Sequence, residues 1–120
     1  RDIENAEIPE FIQIISSYSF QNCIKLQQIN FLQESKLRFI DKYAFSNTLI
    51  QVINIPSHVE KIGQFAFENC YQLHTVIFAQ NSNLNLIEAR AFAETSIKNI
   101  IIPRHVKKIE REAFFSCRQL

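Results

Sequence analysis

The chain has 120 residues, 47% apolar and 21% charged, with a formal net charge of +1. That is enough apolar content for a continuous core, and too even a charge balance to steer nucleic acid or an anionic membrane by a global field. No apolar stretch approaches the roughly 20 residues of a bilayer-spanning helix, and Arg1-Asp2 is not the start of a signal peptide.

Ile3, Ala6 and Ile8 open the chain with an aliphatic-x-x-aliphatic-x-aliphatic pattern. Its last positions alternate as a strand with one buried face does. Pro9 closes a short link to Ile12 and Ile15, read as a second short strand. A small residue before an aromatic, Ser19-Phe20, follows and fits one turn of helix or a tight bend; Cys23 ends the coil. The second coil repeats the order with Leu26, Ile29 and Phe31, a longer polar link over 32–36, then Leu37, Ile40, Ala44-Phe45 and Thr48. The third has Ile50, Ile53, Ile55, Pro56, Val59, Ile62, Ala66-Phe67 and Cys70. The fourth has Leu73, Val76, Phe78, a long link over 79–83, Leu84, Ile87, Ala91-Phe92 and Thr95. The last has Ile97, Ile100, Ile102, Pro103, Val106, Ile109, Ala113-Phe114 and Cys117, and Leu120 stands in the phase of Leu26 and Leu73.

Successive phenylalanines of this phase lie 25, 22, 25 and 22 residues apart, so Phe20, Phe67 and Phe114 share a superperiod of 47. Repeats of this length specify a stack in which each coil buries its apolar face only against its neighbours. The expected fold is an α/β solenoid of alternating 22- and 25-residue coils. Short parallel strands should form one face and short helical or 3-10 turns the other. With one glycine and three prolines, the turns should rely on Asn, Ser and helical pieces rather than on positive φ. Residues 1–120 read as one fragment of about five repeats cut from a longer array, whose ends expose sides that normally take another coil.

Ile55-Pro56-Ser57-His58-Val59-Glu60-Lys61-Ile62-Gly63-Gln64-Phe65-Ala66-Phe67-Glu68-Asn69-Cys70-Tyr71-Gln72-Leu73, followed by Val76 and Phe78, resembles the repeat of BspA-like leucine-rich-repeat proteins, the class related to treponemal surface repeat proteins. The unit over 102–120 keeps Ile102-Pro103, Val106, Ile109, Ala113-Phe114, Cys117 and Leu120, with Glu110 in the glycine position; the unit over 8–26 has Ser16 there. The resemblance implies a leucine-rich-repeat solenoid from a surface or secreted adhesin of the kind found on oral bacteria and expanded in parasitic protists. It implies binding of host-cell, matrix or microbial surface proteins without chemistry.

The residues offer no catalytic site of their own. Cys23, Cys70 and Cys117 are two coils apart, about 10 Å in a parallel stack, which exceeds a disulfide's Cα span and prevents one zinc from being shared. They read as buried core thiols, with a functional thiol or an intermolecular disulfide at Cys117 as the alternative. His58 and His105 occupy one repeat position without a carboxylate at ligand spacing, Ser16-Ser17 and Ser116 lack a convergent base, and a single glycine rules out a glycine-rich phosphate loop. No metal, cofactor, nucleic acid or membrane insertion is expected.

Three surfaces remain. Asp2, Glu4, Glu7 and Glu10 make one end acidic, while Lys98, Arg104, Lys107, Lys108 and Arg111 make the other basic. These charges are either solvated and met by flanking repeats or an anion contact. Tyr18, Tyr43 and Phe65, continued by Arg90 and Glu112, form a column that either packs on the coil edge or anchors an interface. The outward strand positions change from polar residues to Val52, Thr75, Ile77, Asn99 and Ile101, and these five form the expected protein-binding face. Self-association end to end or face to face is a further expectation, and a structural spacer or intracellular interaction scaffold is the alternative to an adhesin.

Overall fold

The computed structural model describes residues 2–120. Among these residues nine strands follow the repeat. Four have four residues, β1 (Asn5–Ile8), β3 (Gln28–Phe31), β5 (Val52–Ile55) and β7 (Thr75–Phe78). Five have two, β2 (Ile14–Ile15), β4 (Phe39–Ile40), β6 (Lys61–Ile62), β8 (Leu86–Ile87) and β9 (Lys108–Ile109). The short strands form one parallel sheet in the order β2-β4-β6-β8-β9. The second aliphatic pair of each coil therefore does make a strand.

The longer strands pair only two by two, β1 with β3 and β5 with β7, both parallel. Within them Ile29, Ile53 and Val76 are buried while Asn30, Asn54 and Ile77 are exposed. That is the expected alternation. Inside the coils the phenylalanines stack in one column: Phe20 on Phe45 at 5.3 Å between ring centroids, Phe45 on Phe67 at 5.3 Å, Phe67 on Phe92 at 5.2 Å and Phe92 on Phe114 at 5.5 Å. Ala44, Ala66 and Ala91 beside them are wholly buried, which is why the preceding residue must be small.

The expectation of helical or 3-10 turns on the opposite face is corrected: no residue among those described is helical. The segments run as overlapping β-turns. In the first, Ser19, Gln21 and Cys23 donate N–H bonds back to the carbonyls of Ser16, Tyr18 and Phe20, whereas Tyr18, Phe20 and Asn22 donate to Lys42, Ala44 and Ser46 of the next coil. Every second N–H thus leaves the coil, so an unbroken i to i−4 helix cannot form. Positive φ makes this possible, at Tyr18 (65°) and Asn22 (61°), Tyr43 (59°) and Asn47 (60°), Phe65 (60°) and Asn69 (62°), Arg90 (58°) and Glu94 (58°), and Glu112 (63°) and Ser116 (55°). The low glycine content had suggested that such conformations would be avoided, and this too is corrected. Asparagine tolerates the left-handed region, but for tyrosine, phenylalanine and arginine it is strained, so the lateral bonds to the next coil and the stacking of these side chains must hold it.

The long links are tied to the coil before them. Leu32 and Lys36 donate to the carbonyls of Ile8 and Glu10, and Ala79 and Asn83 to those of Ile55 and Ser57. Ser35 and Ser82 are buried, their Oγ atoms accepting the N–H of Leu37 at 3.2 Å and of Leu84 at 3.1 Å.

The fifth long strand expected around Ile100 and Ile102 does not form. Residues 97–103 carry no strand, and among the described residues no backbone N–H from Ile97 to His105 bonds to another backbone group. Asn99 and Ile101 therefore lie beside β7 on a segment that is not a strand.

Candidate functional site

At both interruptions of the long sheet a proline removes one rung. In the intact pairs the last rung is an N–H donated from the residue after one strand to the last carbonyl of the coil before it, Leu32 to Ile8 and Ala79 to Ile55, each at 3.2 Å. The equivalent donors toward Phe31 and Phe78 would be Pro56 and Pro103, which have no N–H. The ladder fails between β3 and β5 and again after β7, each time where a proline-linked coil follows one with a long link.

A groove opens at each failure. The first, of about 380 Å³, lies between β3 and β5, with Asn30, Glu34, Asn54, Ser57 and His58 among its lining residues. The second, of about 750 Å³, lies between β7 and the 99–105 segment, where Ile77, Asn81, Ile101, Arg104 and His105 occupy the same repeat positions. The two are copies displaced by one superperiod of 47 residues. At these positions the first groove is polar and acidic and the second is more apolar and basic.

Four of the five face residues, Thr75, Ile77, Asn99 and Ile101, line this second groove. Val52 stands one coil upstream, registered against Thr75. Ile77 is 48% exposed and Ile101 87%. Thr75 is half-buried, its Oγ1 2.8 Å from Nδ1 of His74. The outward positions follow from the strand alternation, whereas the groove does not, because a proline signals a closed turn first. Its missing donor on the downstream coil was the available signal.

The cysteines belong to the core. Cys70 and Cys117 are buried, donating Sγ–H to the carbonyls of Phe45 and Phe92 at 3.1 Å each. Thr48 Oγ1 approaches Cys70 Sγ at 3.3 Å and Thr95 Oγ1 approaches Cys117 Sγ at 3.2 Å, so the alternation of Cys and Thr builds one polar column inside the stack. Burial pushes the Cys70 thiol up to about 11, so it is protonated and a poor nucleophile at neutral pH. Cys23 is buried at the same repeat position. His58 and His105 are exposed. No group of three or more His, Cys, Asp or Glu among the described residues is placed to hold a metal ion.

The column at the positive-φ position packs on itself. Tyr18 stacks on Tyr43 at 5.2 Å and Tyr43 on Phe65 at 4.6 Å. Arg90 then bridges Glu68 at 3.2 Å and Glu112 at 3.3 Å and lies 4.5 Å over the Phe115 ring. Tyr43 is thus covered on both faces, whereas Tyr18 is stacked on one face only and is exposed. At the basic end Lys108 pairs with Glu110 at 3.7 Å, whereas Lys98, Arg104, Lys107 and Arg111 make no ion pair among the described residues.

Comparison with known proteins places this geometry. The family model described as the BspA type leucine rich repeat region matches residues 1–120 in 6 copies. No curated protein matches. Among solved structures, the pneumococcal vaccine antigen PcpA superposes with a TM-score of 0.89 at 28% identity, over 93% of this chain and 28% of its own. A leucine rich cell surface protein from Faecalibacterium prausnitzii A2-165 gives 0.72 at 26% identity, over 97% of this chain and 37% of its own. A leucine-rich repeat protein from Eubacterium ventriosum ATCC 27560 shares the fold with a TM-score of 0.60 at 21% identity, over 93% of this chain and 42% of its own. This chain spans less than half of each. No helix among the described residues is long and apolar enough to cross a membrane.

Proposed function

Because the chain belongs to the BspA-type leucine-rich-repeat family over residues 1–120, we propose that it is a non-enzymatic, protein-binding part of a longer surface or secreted adhesin-like array. Its partners are host-cell, matrix or microbial surface proteins. Recognition uses the face of Val52, Thr75, Ile77, Asn99 and Ile101. The observation that carries this reading is the pair Ile77 and Ile101, two exposed aliphatic side chains on one groove of a core-supported coil stack. A rigid support lowers the ordering cost of association, and exposed aliphatics converging on a groove supply apolar area for burial. The description of one structural neighbour as a cell surface protein and of another as a vaccine antigen supports a surface location.

Replacing Ile77 and Ile101 together by glutamate is expected to leave the circular dichroism spectrum unchanged, since both point away from the core. Binding to immobilised matrix proteins and to cells should fall by about tenfold or more, a loss of about 1.4 kcal/mol or greater. Equal binding by parent and folded variant would remove this face as the site. Absence of any binding, by this chain and by a longer form of the array, would favour the spacer reading.

A further inference from the structure

The second groove differs from a general sticky surface in three respects. Strand β7 is paired only with β5, so its other edge faces the groove, and the missing Pro103 donor leaves the Phe78 carbonyl without the rung that Ala79 supplies to Ile55. An open parallel edge accepts an extended chain by main-chain hydrogen bonding, with side-chain pockets selecting alternate residues. Ile77 and Ile101 supply apolar ground for such side chains. Arg104 and His105 line one wall, no Asp or Glu lines the groove, and Arg104 has no ion-pair partner among the described residues.

The first groove is an internal control. It has the same proline position and an open strand edge on β3, with strand β5 in place of the unpaired 99–105 segment; Asn30 and Asn54 stand for the two isoleucines, Ser57 for the arginine and Glu34 for Asn81, in half the volume. Charge and apolarity therefore single out the second copy.

We propose that the groove between β7 and the 99–105 segment docks an extended acidic peptide of the partner, its backbone adding to the free edge of β7, its apolar side chains meeting Ile77 and Ile101 and its carboxylates meeting Arg104. This deepens, and rests on, the reading of the face as protein-binding. Complementary charge at such a site selects partners and suppresses wrong ones.

The test uses three short N-acetylated peptides: alternating valine and glutamate, the same with lysine for glutamate, and the acidic peptide N-methylated at every second residue. Titrations of the 15N-labelled 120-residue chain are followed by NMR. The acidic peptide is expected to bind about tenfold tighter than the lysine peptide, to lose most of its affinity on N-methylation, and to prefer the parent over Arg104→Glu. The shifted amides should lie at 76–78, 99–102 and 104–105 and spare 29–31. Equal binding of the acidic and lysine peptides, equal perturbation of the first groove, or no binding at millimolar peptide would each overturn the proposal. Failure of the peptides while the isoleucine double variant still abolishes capture of matrix proteins or cells would overturn the peptide site alone. Peptide binding by a chain that captures neither would overturn the adhesin reading alone.

Discussion

Replacing Phe67 by alanine is expected to destabilise the chain by about 3 to 5 kcal/mol, the range for truncating a buried aromatic. Phe67 is fully buried in the third coil, with Phe45 5.3 Å on one side and Phe92 5.2 Å on the other. The coils on both sides are fixed by lateral hydrogen bonds, Phe45 N–H to Ala66 and Phe67 N–H to Ala91, so the stack cannot collapse into the space left. Phe20, only half-buried and stacked on one ring, provides the comparison: its alanine variant should lose clearly less. Urea denaturation of the three proteins measures the differences, and a Phe67→Ala midpoint equal to the parent's would refute the assigned register.

The next largest loss is expected for Gly63→Ala, about 1 to 3 kcal/mol, the range for overpacking an interior. A Cβ at Gly63 would lie 2.9 Å from the carbonyl carbon of Asp41, the carbonyl oxygen of Ile40 and the nitrogen of Lys42, all backbone atoms. Its φ is not positive, so conformational freedom is not the reason for glycine here. The third coil sits close on the second, its Gly63 N–H reaching the Ile40 carbonyl at 2.7 Å. Equivalent coils carry Ser16, Asp41, Glu88 and Glu110, so the clash belongs to this approach and not to the repeat position in general. Unchanged stability in the alanine variant would mean that the two coils can separate by a few tenths of an ångström at no cost.

Most of the stack was legible because a solenoid writes its contacts into sequence spacing. Phe20, Phe45, Phe67, Phe92 and Phe114 had to meet once they shared a phase, and the alternation around Ile29, Ile53 and Val76 fixed which strand face is buried. Two features were not legible. The Ala-Phe segments suited a helical turn by composition, but lateral pairing captured every second N–H and drew Tyr43, Phe65 and Arg90 into positive φ, a tertiary effect that overrides local preference. The pattern Ile97, Ile100 and Ile102 reads as a strand like the others, yet Pro103 removes the rung toward Phe78 and, among the described residues, no later coil pairs with 97–103 as β3 does with β1 and β7 with β5. Asn99 and Ile101 therefore stand across a groove from β7 rather than next to it in a sheet.

That break underlies both the exposed isoleucine pair and the peptide edge, and amide hydrogen exchange of the free chain tests it most directly. The N–H groups of Phe67, Asn69 and Ala79, which cross to the carbonyls of Ala91, Ala93 and Ile55, should exchange slowly, while those of the 97–105 segment should exchange at nearly unprotected rates. Protection over 99–102 as strong as that at Ala79 would mean a continuous sheet with no groove, and would contradict the account.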